Sequence, residues 1–387
     1  MRSEYPNIPK QNPPCADVET RNVVSFWGFF SKRDLLMNPG SLLMLDVDFG
    51  RECSLRCPSC FRRQSLVDDD IHPDLTYLEI LAVIDEARTL GMREVKICGA
   101  GEPLENPLLL QFARDLTSRG VGLAIFTKAH VFGDDSWVQR VFGNNGIRTA
   151  RALSEAFYEL KTSFLVGFQS AIPSVQDRLV GGIRGYSTLR RRALEILAET
   201  GFNKTSPTRL ALCCNPMTKE NVSELYDIYV FGRERNILPV NACLMVSGKQ
   251  LDARYLAIHD APVELKEYLF RRIYQYNVEH GITTIEQIEE EGISCMPGVH
   301  PCNQVAAGLY LTCNGNVVHC PGDSHALLGN VRETGITEIW HAQADWPLCG
   351  QFNCHCPFKD GTTLPVGIYD RTLKHLEAYR QEIATCA

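Results

Sequence analysis

The stretch Gly50-Arg51-Glu52-Cys53-Ser54-Leu55-Arg56-Cys57-Pro58-Ser59-Cys60-Phe61 follows an apolar run, Leu42 to Val47, and carries its cysteines in a C-x-x-x-C-x-x-C spacing. Three thiolates this close on one loop can hold three irons of a [4Fe–4S] cube and leave the fourth iron without a protein ligand. A zinc site would want four closed ligands, usually as two separated pairs. A disulfide framework fits poorly, because three is odd and nothing marks the chain as secreted.

Working outward from that loop, strand-then-helix units repeat. The run at 42–47 reads as a strand. Leu75 to Leu90 has helical spacing, with Thr76 as N-cap and Gly91 as stop. Strands are expected at Glu94–Cys98, Leu123–Thr127, Phe164–Phe168, Arg209–Cys213 and Val240–Val246. Helices are expected at Pro107–Ser118, Thr149–Leu160, Ser187–Thr200 and Asn221–Arg235, with irregular chain near Asp134 and at Asn144-Asn145-Gly146. Six such units predict a parallel sheet with right-handed crossovers. They are too few for a closed eight-unit barrel, and no G-x-G-x-x-G follows the first strand. The expected fold is therefore α/β, a partial (β/α)6 barrel of parallel strands with its chemistry at the strands' carboxyl ends. A small cysteine-rich C-terminal β-hairpin/helix domain follows it. The expected divisions are an N-terminal extension (1–40), the barrel (41–250), a helical bridge (251–290), the cysteine-rich domain (291–360) and a C-terminal helix or tail (361–387).

Composition bounds the partners. The 387 residues are 44% hydrophobic with a net charge of −7, which argues against a nucleic-acid partner. The basic run Arg190-Arg191-Arg192 reads as the solvated face of a helix. No stretch approaches about 18 apolar residues, so no membrane span is expected. Met1 to Pro6 lacks the apolar core of a signal peptide, so the chain is expected in the cytoplasm. Sixteen cysteines in a reducing compartment point to metal rather than disulfides.

Seven of those cysteines (Cys295, Cys302, Cys313, Cys320, Cys349, Cys354 and Cys356) fall close together near the C-terminus. Leu309 to Cys320 reads as a β-hairpin around an Asn314-Gly315 turn. The three-cysteine spacing resembles the signature of radical S-adenosylmethionine (SAM) enzymes. Cys302, Gly315 and Cys320 resemble the ligand hairpin of the SPASM/Twitch extensions that many of these enzymes carry. Leu328 to Val331 and Ile336 to Trp340 resemble the strand and tryptophan-bearing helix of that extension. The resemblance covers roughly residues 40 to 360. It implies a first [4Fe–4S] cluster on Cys53, Cys57 and Cys60, whose open iron binds SAM. At least one auxiliary [4Fe–4S] cluster is implied on residues from Cys302, Cys320, Cys349, Cys354 and Cys356, with Cys295 and Cys313 also open as ligands. A structural zinc knuckle is the alternative for the tail.

For SAM, the turn Gly99-Ala100-Gly101-Glu102-Pro103 resembles the family's Gly-Gly-Glu-Pro-like motif and suits an ammonium group. Ser170 and Arg184 match positions that hold the SAM carboxylate in relatives, a guanidinium being the natural fork for it. Arg184 can equally be a surface arginine at a loop tip. Thr127 is expected on the ribose side. The family's aromatic residue before the third cysteine is here Ser59, which leaves adenine stacking unassigned. Cys98, Cys213, Cys214 and Cys243 read as small core residues. Cys213 or Cys214, which face opposite ways on one strand, is a candidate hydrogen donor. His319 and His355 are expected beside the ligands rather than among them.

The function implied is reductive cleavage of SAM to a 5′-deoxyadenosyl radical that abstracts hydrogen from a substrate C–H bond. A net oxidation (dehydrogenation or bond formation) of a small molecule in natural-product or cofactor biosynthesis is favoured. The alternatives are peptide or protein modification and redox-neutral epimerisation. A small molecule is favoured over a leader peptide because only about forty irregular residues precede the first strand. A flavodoxin or ferredoxin is the expected electron donor. A non-catalytic Fe–S or zinc-binding protein is the reading from another class.

Overall fold

Met44-Leu45-Asp46-Val47 is buried throughout and forms β1, an inner strand of the sheet. The computed structural model describes residues 3–12, 16–24, 29–62, 72–322, 326–346 and 348–386. Outward from β1 on one side run β2 (Glu94–Ile97), β3 (Gly122–Thr127), β4 (Ser163–Gly167), β5 (Leu210–Cys213) and β6 (Leu238–Val240). Each pairs in parallel with its neighbour, in register so that Val47, Ile97 and Ile125 stand level, as do Thr127 and Val166, then Gly167, Cys213 and Val240. The sheet stays open, a partial barrel with β6 at one edge. Strands covered by helices read as continuous apolar runs, which is why their positions were legible.

The helices form where their caps dictate. Thr76 and Glu79 make a reciprocal capping box at the start of Tyr77–Arg88, which buries Ile80, Leu81, Val83, Ile84 and Ala87. Gly91, at φ +98°, turns the chain toward β2. Val18–Arg21 and Lys32–Met37 form short helices in the stretch read as irregular, and two further helices, within the barrel, were not expected. Asp135–Phe142 is capped by the Asp134 carboxylate, and Pro173–Val180 starts with proline at its first position. Both are short, and Asp and Pro read as loop residues until their capping role is seen.

The expected strand at 240–246 is displaced. β6 ends at Val240 and contains Pro239, tolerated because β6 is an edge. Its partner β5 ends at Cys213, so Ala242, Cys243, Leu244 and Val246 are buried in chain outside the ladder.

On the other side of β1 the tail takes over. β7 (Gly308–Leu311) pairs in parallel with β1, and β8 (Asn316–Val318) and β9 (Gly329–Asn330) continue antiparallel. The cysteine-rich hairpin thus extends the barrel's own sheet. The long helix Val263–Glu279 packs on the C-terminal helix Ile368–Cys386. Trp340 donates its indole N–H to the Gly40 carbonyl at 2.9 Å, pinning the helix Ile336–His341 to the start of the barrel.

Candidate active site

The cysteine loop is closed at its base by one buried carboxylate. Asp48, just past β1, accepts from the Tyr310 hydroxyl and the Ala100 N–H, each at 2.5 Å, and pairs with Arg62 at 2.7 Å. Residues 48 and 62 bracket the three cysteines, and both are buried, so this pair ties the loop's two ends together. Gly99 is required here: a Cβ on it would fall 1.7 Å from the Asp48 Oδ1. Gly101, at φ +75°, lies so close that a Cβ would be 2.6 Å from the Gly50 carbonyl oxygen. Glu102 donates its N–H to the Glu52 carbonyl at 2.8 Å.

Within the loop, Ser54 donates its N–H (3.0 Å) and hydroxyl (2.5 Å) to Glu105, whose carboxylate also lies 3.0 Å from the buried His130 ring. Gln250 donates to the Ser59 carbonyl at 2.6 Å. The three thiols are partly buried and face one cavity of about 210 Å³ at the carboxyl ends of the strands. Burial first, then the nearby Glu102 carboxylate, pushes the Cys53 thiol up to about 12, so a metal taking it as ligand must displace a proton.

Gly99, Gly101, Glu102 and Thr127 line the same cavity. Glu102 is not a free carboxylate: it accepts from the Thr127 hydroxyl, the Lys128 N–H (2.8 Å) and the Leu104 N–H (3.3 Å). Burial nonetheless raises its pKa. Glu102 and Thr127 therefore lock the turn after β2 to the end of β3. Ser170 and Arg184 are not brought to the cavity wall. Ser170 is buried and donates its hydroxyl to Glu224 at 2.7 Å. Arg184 is exposed, on a loop whose Gly182 abuts the Ser54 carbonyl. Arg190, expected on a solvated face, is buried: it donates to Ser170 O and Gln176 Oε1 and lies over the Phe168 ring at 3.7 Å. Burial lowers its pKa to about 10.

Opposite the loop, Cys295, Cys302, Cys320 and Cys356 line the cavity together. Cys349, Cys354 and Cys313 do not; Cys354 leans on Gly292 instead. Cys98 and Cys213 also reach the cavity wall, whereas Cys214 is packed in the core. His319 stacks on Trp346 and His355 on Tyr369, so both rings are engaged in packing. Among the described residues, no three His, Cys, Asp or Glu side chains are grouped as ligands of a single ion.

Three features escaped the sequence reading. Lys96 pairs with the fully buried Asp46 at 3.1 Å and donates to Gln304 Oε1 at 3.2 Å, and burial raises Asp46 to about 6 against the pull of Lys96. Asp48 with Arg62 is the second. Lys359, buried beside the four sulfurs, is the third. The signal for the first two was charge inside the apolar run Leu45-Asp46-Val47-Asp48; nothing in the sequence near Lys359 marks it.

Residues 302–355 match the SPASM family, described as an iron–sulfur cluster-binding domain. Among solved structures, the chain is similar to anSMEcpe with bound AdoMet, at 15% identity over 89% of this chain and 98% of that one, TM-score 0.54. It is also similar to Streptococcus suis SuiB bound to the precursor peptide SuiA, at 16% identity over 80% of this chain and 66% of SuiB, TM-score 0.48. The chain thus spans just under two thirds of SuiB's length. No curated protein matches it. Fold and domain together define the class: an open parallel α/β barrel similar in fold to anSMEcpe, joined to a tail that matches an iron–sulfur cluster-binding domain.

Proposed function

We propose that the chain is a radical SAM enzyme whose cavity between the two cysteine sets is the reaction chamber. The observation that carries this is the convergence of Cys53, Cys57 and Cys60 with Cys295, Cys302, Cys320 and Cys356 on one cavity, beside the Gly99–Glu102 turn. The first set would hold the SAM-binding cluster and the second an auxiliary cluster, and together these cofactors supply a 5′-deoxyadenosyl radical and an electron acceptor. This chain's share is to position, to exclude water and to hold charge. Phe29, Phe61, Leu165, Met245, Met296 and Phe358 give the cavity apolar walls. Lys96, Gln169, Asn215 and Gln304 supply polar anchors.

An electron sink facing the substrate favours a net oxidation. We favour a small molecule as substrate because the walls come from every side of the barrel mouth. Peptide modification is the alternative; anSMEcpe has been solved with AdoMet and a peptide. We expect a flavodoxin or ferredoxin to donate the electron. Among the described residues no helix is long and apolar enough to cross a membrane.

Anaerobic reconstitution with iron and sulfide, then SAM and dithionite, tests this reading. 5′-Deoxyadenosine is expected. An intact chain that binds zinc, takes no iron and leaves SAM whole refutes it.

A second reading rests on Cys98 and Cys213 at the cavity wall. Burial pushes Cys98 up to about 12 and raises Cys213 as well, so both keep the S–H that a hydrogen-atom donor needs. That arrangement suits epimerisation. Product formed in D₂O should then carry one deuterium at the reacting carbon, and Cys213→Ala should abolish its formation.

A further inference from the structure

Lys359 follows Cys356 by three residues, at the head of a turn in which the N–H groups of Thr362 and Leu364 both donate to the Lys359 carbonyl at 3.0 Å. That turn fixes the backbone and sends the side chain inward. The residue is 4% exposed, and its ammonium has no hydrogen-bond partner among the described residues. It lines the cavity with Cys295, Cys302, Cys320 and Cys356. The cavity's other buried lysine is answered by a carboxylate: Lys96 has Asp46. Lys359 has none.

A buried ammonium without a counter-charge is strongly unfavourable. Thiols share its surroundings: Cys295, Cys302, Cys320 and Cys356 line the same cavity. All four belong to the set proposed above as ligands. Bound as thiolates around a cluster, they would supply the missing negative charge. A fixed positive charge beside a cluster favours the form carrying one more electron.

Resting on the cluster reading of the previous section, we propose that Lys359 is a positioning charge that raises the reduction potential of the auxiliary site, readying it to accept one electron from a substrate radical. The electron balance is simple. The substrate radical loses one electron to the auxiliary site and one proton to solvent, and the substrate leaves two electrons and two hydrogens poorer. One of those hydrogens has gone to the adenosyl group. A carboxylate-bearing substrate reaching for the same ammonium is the rival account, and the experiment separates the two because it needs no substrate.

The reconstituted full chain is titrated with dithionite and redox mediators and followed by electron paramagnetic resonance. The barrel cluster, identified by its response to SAM, serves as the internal control. Lys359→Met and Lys359→Gln should lower the auxiliary potential by at least a tenfold shift in the reduction equilibrium, ~59 mV for a one-electron couple. The barrel cluster should not move, and Lys359→Arg should restore most of the shift. Unchanged potentials in iron-replete Lys359→Met and Lys359→Gln overturn the proposal and leave the ammonium for a substrate anion. Loss of the auxiliary cluster from both neutral variants also overturns it, by assigning Lys359 to holding the cluster. A wild-type chain that takes up no auxiliary iron refutes the cluster reading itself, a different failure from either.

Discussion

The two cysteine sets that face each other across the cavity are built on opposite plans. Cys53, Cys57 and Cys60 lie on one loop, held by a few polar contacts: Asp48 with Arg62 at its base, Ser54 on Glu105, and Glu102 on the Glu52 carbonyl. Cys295, Cys302, Cys320 and Cys356 come from separate segments, and tertiary structure alone gathers them. Cys302 precedes β7, Cys320 follows β8, and Cys356 leads into the Lys359 turn. A site written in one loop survives changes elsewhere, whereas a site assembled by a sheet depends on that sheet. Each prediction below probes that difference.

The largest effect belongs to the loop. Replacing Cys53, Cys57 and Cys60 by Ala should remove about four of about eight irons per chain and all formation of 5′-deoxyadenosine. The fold should persist, because the loop's polar anchors do not involve the thiols. Iron analysis, circular dichroism and product assay check the three parts, and residual deoxyadenosine in the triple variant would sink the assignment.

The assembled set should behave differently. Cys302→Ala with Cys320→Ala should strip about four irons and loosen the tail, since ligand binding and folding are coupled in metal-organised segments. SAM cleavage should remain while oxidised product falls away. Cys349→Ala with Cys354→Ala, outside the cavity wall, should keep the full iron content. Iron loss in that second pair would move the ligand set toward the tail and away from Cys295.

What could be read from the sequence follows the same division. The loop motif, the first five parallel strands, the Thr76 N-cap and the hairpin at Asn314-Gly315 are encoded in neighbouring residues, so spacing alone locates them. That Cys295 lines one cavity with Cys302, Cys320 and Cys356 depends on tertiary packing between separate segments, which spacing does not encode. Arg190 shows the converse. Its neighbours Arg191 and Arg192 are more open to solvent, and one helical turn decides which guanidinium points inward to Ser170. Arg184 matched a family position, yet its loop leaves it exposed. Burial of a single charge is a property of packing, which a motif does not carry.

A smaller effect separates Glu102, in the turn after β2, from Arg184. Glu102→Gln puts an amide where the Thr127 hydroxyl and the Lys128 and Leu104 N–H groups all donate, leaving a buried donor facing a donor. The cost should be about 1–3 kcal/mol, felt as a lower melting temperature and as weaker SAM binding by about ten- to a hundredfold. Arg184→Ala, at an exposed position, should change stability by no more than about 0.5 kcal/mol and leave SAM affinity close to wild type. Calorimetric titration with SAM decides. A large loss in Arg184→Ala would return that arginine to the cofactor.

The smallest effect lies where barrel and tail are stitched on the outside. Arg332, just past β9, donates to Glu79 at 2.7 Å and to the Pro73 and Asp74 carbonyls at 2.6 and 3.2 Å. The Arg332 hydrogen bond first, then those from Thr76, holds the Glu79 carboxyl down to about 2. A carboxyl depressed in the folded state adds stability above its unfolded pKa, and that stability is lost as pH falls toward the folded value. The Glu79 side chain is 38% exposed, so solvent screens the pair to about 0.5 kcal/mol or less. Arg332→Ala should therefore lower the melting temperature slightly at pH 7, and by less at pH 3, where Glu79 is on its way to neutrality. The part due to the two carbonyl contacts should persist at both pH values. Added salt should shrink the difference at pH 7 and leave that persistent part alone. A deficit equal at both pH values and insensitive to salt would show that carbonyl contacts, and not the ion pair, join the two regions.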